Sequence, residues 1–265
     1  MLTWEIIMRL PVSIQLFSFR DDLEKDAKAV FTALSEMGYE GIEPYGGKDL
    51  YGYTPEEFKA LMDELGLKVP SAHISYESLM NDPDGVLEFH QSLGCKFLAI
   101  PYMLPENLPG CEGYKDVPAN LTMLCEKAKE YGITLCYHNH ETEFAEVDGK
   151  YMMDHFLSDA PLLKAEFDTA WIAVMNIDPA EYILKYSGRV GIIHLKDYYR
   201  EKEVTEGRGE LRPVGYGIQR IPHIIDAAKQ AGAQWLVVEQ DTASFGLSNL
   251  ECAKMSIEYL KWVNK

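Results

Sequence analysis

The stretch "LCYHNHETEF" sets His138 and His140 two residues apart beside Glu141 and Glu143, in a chain with seven histidines in all. At the period-two alternation of a strand both imidazoles face one side, with Asn139 on the other. A metal site, a general acid/base pair and a polar strand end all fit that description. Further along, "EFDTAW", "IIHLKD" and "LVVEQD" each finish an apolar run on polar groups: Asp168, then His194, Lys196 and Asp197, then Glu239 and Asp241. Gln15, Arg20, Glu43 and His73 hold similar places upstream. An acid such as Glu239, closing a wholly apolar strand, has to be paired or bound to something. An oxygen-rich set with one imidazole suits Mn2+, Mg2+, Co2+ or Zn2+ rather than a thiolate-seeking metal.

Each of these residues also has a plain reading. Asp168 reads as a helix N-cap, His194 as a buried histidine bonded to a carbonyl, and Glu143 as loop surface. What argues for one shared site is asymmetry: the strand beginnings "VGII", "QWLV" and "CKFL" carry almost nothing titratable. His90 and His155 fall mid-helix and His223 near a helix start, so these read as structural or surface residues.

The elements that must position the strand ends follow a regular punctuation. "PVSIQLFSF" reads as a strand, and Leu23, Ala27, Val30, Phe31, Leu34 and Met37 then recur at helical spacing until Gly38. "TPEEFKALMDELG" has Thr54 as N-cap, Pro55 at the first helical position, Glu57 three after the cap and Gly66 as C-cap. The pattern gives eight strand-then-helix units of roughly thirty residues, the order and length of a (β/α)8 TIM barrel, α/β in class. The competing architecture, a doubly wound open sheet, usually has fewer strands and a glycine-rich first turn, whereas this turn reads "SFRDDLEKD". Residues 1–265 are expected to form a single barrel domain. In a barrel the βα loops make the open mouth, so chemistry belongs where the strands end.

Bulk properties narrow the partners. A formal net charge of -17 argues against a phosphate-backbone partner, because non-specific nucleic-acid affinity comes from Lys and Arg. Five cysteines without a CxxC pair read as reduced thiols in a cytoplasmic protein. No apolar run reaches membrane-spanning length. "MLTWEIIMRLPVSI" does not read as a leader, and Met8 is an alternative start. The expected partner is a small-molecule carbohydrate, with no nucleic acid and no membrane, and with homo-oligomerisation left open.

With these residues on the page, the chain resembles the sugar phosphate isomerase/epimerase superfamily of xylose isomerase-like TIM barrels, over nearly its whole length. The resemblance rests on "YHNHETEF", on "EFDTAW" followed by "NIDPAEYI", on "GRVGIIHLKD" and on "LVVEQD". It implies one divalent metal ion held by Asp168, His194 and Glu239. The epimerases carry a glutamate as fourth ligand at the tip of the fifth strand. That place falls at His138 here, so the fourth ligand is either Glu143 reaching back, which the hard cations favour, or His138. The resemblance further places Arg200 at the substrate, and Trp171 stands where epimerases often carry histidine. His73, Trp171, Lys196 and Arg200 are therefore expected to bind substrate, with Trp171 either exposed at the mouth or packed under the sixth loop.

The chemistry implied is enolisation, with the ion acting as a Lewis acid and positioned groups moving protons. His138, His140 and Glu239 are the expected catalytic residues. The leading expectation is a metal-dependent sugar or sugar phosphate isomerase/epimerase. The alternative is a lyase or dehydratase acting on a keto-sugar, keto-glycoside or keto-inositol, which imidazoles near neutral pKa would suit. A sugar-binding barrel without turnover is the non-enzymatic alternative.

Overall fold

The computed structural model describes residues 9–201 and 207–265. The alternative start at Met8 lies outside the described residues. The barrel strands are β1 (Val12–Gln15), β2 (Gly41–Glu43), β3 (Ser71–His73), β4 (Phe97–Ile100), β5 (Thr134–His138), β6 (Lys164–Asp168), β7 (Val190–Leu195) and β8 (Trp235–Val238). Neighbours pair in parallel from β3 through β8 and on through β1 to β2. Between β2 and β3 the ring is completed by the Gly41–Lys68 bridge and by His73 N–H donating to Pro44 O at 2.9 Å. The result is an eight-stranded parallel barrel with helices between the strands: a TIM barrel, as its alternating pattern requires. Two short antiparallel ribbons, Glu146–Val147 with Lys150–Tyr151 and Asp197–Tyr199 with Glu210–Arg212, sit in the loops after β5 and β7.

Local signals explain the helices. Thr54 Oγ1 accepts from Glu57 N–H at 3.2 Å while Glu57 Oε2 accepts from Thr54 N–H at 2.9 Å, the reciprocal capping expected of that spacing. Gly38 ends helix Arg20–Met37 at φ 93°, a left-handed turn that other residues adopt at a cost. Two short helices, Tyr76–Asn81 and Thr169–Val174, add to the eight expected ones.

The barrel interior changes character along its axis. At the lower end Phe97, Ala99, Cys136, Ile192 and Val237 form a small apolar plug, with Trp235 packed on it. Above it the buried inward positions turn polar: Gln15, Glu43, Ser71, His73, His138, Glu166 and His194. A register shift in the β6–β7 pairing lies between Ala165 and Glu166, where Gly191 has no partner. A Cβ on Gly191 would meet Cys136 Sγ at 2.9 Å and the Phe97 ring at 3.0 Å. Bulges of this kind re-aim side chains beside functional sites, and this one immediately precedes Glu166. Among the described residues no helix is long and apolar enough to cross a membrane.

Candidate active site

The strand ends build a site in two tiers. In the lower tier Glu43, at the end of β2, is fully buried, and its carboxylate is held by Gln15 Nε2 at 2.6 Å and by the Ser71 hydroxyl. Glu43 Oε1 lies 2.7 Å from His194 Nε2 and 3.2 Å from His73 Nε2. Glu166 Oε2 lies 2.8 Å from His73 Nε2 and 3.4 Å from His138 Nδ1, and Glu166 Oε1 lies 3.4 Å from His194 Nε2. The rings of His73 and His194 stack 5.1 Å apart.

The upper tier centres on Asp168, which caps the helix after β6. Its Oδ1 accepts from Ala170 N–H at 2.9 Å and Trp171 N–H at 3.1 Å, which fixes the carboxylate with Oδ2 toward the mouth. Asn139 clamps the same residue by its backbone, accepting from Asp168 N–H at 3.0 Å and donating to Asp168 O at 3.3 Å. The alternation in "HNH" thus has two jobs, imidazoles on one side and a strand clamp on the other. Lys196 Nζ stands 3.1 Å from Asp168 Oδ2, 2.9 Å from Glu239 Oε2 and 3.2 Å from Asp241 Oδ1, and 4.6 Å from the centre of the Trp171 ring. His194 Nδ1 lies 3.0 Å from Glu239 Oε2, so both its ring nitrogens face carboxylate oxygen.

Burial and charge oppose each other at most of the carboxylates and at His73 and His194, and act together at Glu43, His138 and His140. Burial alone would lower His194, but Glu166 and Glu43 outweigh it and hold its pKa well above the usual value. Burial likewise works against His73, and Glu43 and Glu166 raise it. Glu166 would rise on burial, yet His194 and His73 hold it well below the carboxylate range. Glu43 is raised, by burial and then by its Glu166 neighbour. Asp168 is pushed up to about 6 by burial, with Lys196 opposing. Glu239 goes the other way, because Lys196 and His194 overcome its burial. His138 is driven well below its usual value by burial and then by His194, and His140 to about 4 by burial and then by Lys196. Both are neutral imidazoles at neutral pH.

The structure brings most of the expected residues together. His138, Asp168, His194 and Glu239 offer ligand atoms within 4.8 Å of one another. His73 and Lys196 stand beside them, and the ring of His140 lies 5.0 Å from that of His138. Glu143 stays outside the group. Its carboxylate accepts from His140 N–H at 2.8 Å, the Thr142 hydroxyl at 3.0 Å and the Tyr137 hydroxyl at 3.1 Å, so it caps the turn after β5. Arg200 also stays apart, because its guanidinium donates to Val174 O, Gly207 O and Asn176 Oδ1. Trp171 is buried rather than exposed, packed with Ala170, Val174, Tyr198 and Leu211, between Lys196 and the Arg208 guanidinium at 5.0 Å. Glu166 is the residue that sequence reasoning passes over. It sits two before Asp168 in "KAEFD", and that period-two relation is the signal that both face the barrel interior.

The upper tier fits a divalent cation. Asp168 Oδ2 is buried without a hydrogen bond and stands 3.1 Å from Lys196 Nζ. The three carboxylates of Asp168, Glu239 and Asp241 face one ammonium, an excess of negative charge that a dication would offset. Carboxylate oxygen with imidazole nitrogen is a donor set that such cations accept.

Comparison with known proteins agrees with this fold. Residues 31–262 match the xylose isomerase-like TIM barrel family. An inosose dehydratase of Mesomycoplasma hyopneumoniae is 26% identical over 268 residues, covering 86% of this chain and 87% of that protein. The crystal structure of a sugar phosphate isomerase/epimerase from Parabacteroides distasonis superposes with a TM-score of 0.77 at 22% identity, over 97% of this chain and 95% of that one. That of a probable 3-DHS dehydratase from Bacillus anthracis superposes with a TM-score of 0.72 at 15% identity, over 95% and 99% of the two chains. The chain therefore belongs to the xylose isomerase-like TIM barrel family.

Proposed function

We propose that this chain is a metal-dependent dehydratase acting on a small keto-polyol or keto-sugar, with inosose-like ketones as the first substrates to try. The observation that carries the reading is the buried convergence of His138, Asp168, His194 and Glu239 at the mouth, with the neutral imidazole of His140 beside it. Asp168, His194 and Glu239 hold the ion, with His138 the fourth side chain in reach. A divalent ion bound by this set supplies positive charge to a substrate carbonyl, which acidifies the neighbouring C–H. A ring nitrogen of His140 takes that proton and returns it to the β-hydroxyl as the C–O bond breaks. A C=C bond forms, water leaves, and the protons balance on one group. Before the ion binds, Lys196 keeps Asp168 and Glu239 ionised and in place. The curated relatives, inosose dehydratases among them, support this reaction type.

The second reading is the isomerase/epimerase. It is favoured by Glu239, whose carboxylate lies within 4.8 Å of a His138 ring nitrogen and would return the proton to carbon. The five unpaired cysteines support a reducing, cytoplasmic setting. The test is to load the chain in turn with Mn2+, Mg2+, Co2+ and Zn2+ and offer keto-inositols, 3-keto-glucosides and ketohexoses. A product lighter by one water supports the dehydratase, and an isomeric product of unchanged mass replaces it with the second reading. If every ketone comes back unchanged under all four metals, neither activity stands.

A further inference from the structure

We propose that the lower tier is itself a cation site: His73 Nε2, His138 Nδ1 and the Glu166 carboxylate bind a second divalent ion beneath the one at the mouth. The first observation is an unmet acceptor. Glu166 is fully buried, and its Oε1 accepts no hydrogen bond, because His194 Nε2, 3.4 Å away, donates to Glu43 instead. His138 Nδ1 is likewise buried without a hydrogen-bond partner and faces Glu166 Oε2 at 3.4 Å. The Glu166 carboxylate and the His138 ring thus each keep one buried ligand atom, Oε1 and Nδ1, without a hydrogen bond.

The second observation is spacing. Ligands at about 2.0–2.2 Å from a tetrahedral ion stand about 3.3–3.6 Å from each other. The pairs here are 2.8 Å for His73 Nε2 with Glu166 Oε2 and 3.4 Å for His138 Nδ1 with Glu166 Oε2, and all ligand atoms of the group lie within 4.8 Å. The chain is already gathered to about the right size.

The third is charge. Glu43 and Glu166 are both fully buried, and such a pair needs two positive charges beside it. A dication held by His73, His138 and Glu166 supplies both, with Glu43 Oε1 only 3.2 Å from His73 Nε2. Glu43, pinned by Gln15 and Ser71, remains the acceptor for His194 Nε2–H. His138 goes to the lower ion, and the upper one keeps Asp168, His194 and Glu239.

The experiment is metal content of the full chain, loaded with Co2+ or Zn2+, dialysed and measured by inductively coupled plasma mass spectrometry. The visible Co2+ bands are followed in parallel. Two equivalents are expected in the wild type, falling to one in Glu166→Gln and in His73→Gln, and to one in Asp168→Asn. His73→Gln stands in if Glu166→Gln does not fold, and the wild-type stoichiometry decides if neither does. A single wild-type equivalent that survives Glu166→Gln and His73→Gln overturns the lower site, as do two equivalents that both survive them. One equivalent that is lost in Glu166→Gln but kept in Asp168→Asn supports the lower site and removes the ion from the mouth instead. A wild type that retains no metal overturns both.

Discussion

His194 Nε2 lies 2.7 Å from Glu43 Oε1, fully buried on both sides, so a carboxylate 151 residues upstream sets which ring nitrogen keeps its proton. With that nitrogen committed to Glu43, Nδ1 is the one left to face Asp168 and Glu239 at the mouth. Partners of this kind orient a ligating imidazole and raise its basicity. Glu43→Gln preserves shape but offers a weaker, neutral acceptor, and it is expected to cost about 10–100-fold in metal affinity. Competition against a chelator measures it, and unchanged affinity would mean that Glu43 does not position His194.

Lys196 is the charge that keeps the upper tier together when no ion is bound. Its removal in Lys196→Met strands Asp168 and Glu239 as buried carboxylates, a change that typically costs about 3–5 kcal/mol. The metal-free variant should therefore melt well below the wild type, and excess Mn2+ should narrow the gap. Equal melting temperatures without metal would show that the ammonium contributes nothing to stability.

His140 carries the proton transfer in the proposed reaction without sharing in metal ligation. His140→Ala should lower turnover about 10²–10⁴-fold, the usual contribution of a positioned acid/base group, with metal content unchanged. Loss of metal along with activity would assign His140 to the metal site instead.

His90 gives a pH dependence away from the site. It is buried in helix Pro83–Ser92, its Nδ1 2.8 Å from Val86 O, and burial lowers its pKa below the usual 6.5. The unfolded chain therefore takes up a proton below pH 6.5 while the folded chain does not. Stability present above that pH is lost as pH falls toward the folded value. In thermal melts from pH 7 to 5, the wild type should lose more than His90→Gln does. Parallel curves would contradict the assignment.

Much of the architecture is legible in the residues. The recurrence of apolar runs, capping residues and glycine stops prescribes strands and helices in alternation, and the polar residues at the strand ends point to the mouth. The capped helix after Thr54 and the buried acid at Glu239 follow from local chemistry alone. What the chain does not reveal is long-range partnership. Glu43 stands at a strand end like several others, and only the closed ring brings it under His194. Glu166 looks like one charge among apolar neighbours unless its two-residue spacing from Asp168 is noticed, and only the closed ring brings it beside His73 and His194. Glu143 and Arg200 have the right chemistry for a ligand and a substrate contact, but the turn from His140 to Glu143 claims the first, and Val174 O, Gly207 O and Asn176 Oδ1 claim the second. Trp171 is buried by the ribbon that follows β7, an element with no strong signal of its own.

The most direct test of the account is a crystal of the chain soaked in Mn2+, with anomalous scattering recorded at the manganese edge. The account predicts a peak bonded to Asp168 Oδ2, His194 Nδ1 and Glu239 Oε2, with the Lys196 ammonium displaced from between the two carboxylates. No Mn2+ on these three residues, with Lys196 still bridging Asp168 and Glu239, would contradict it.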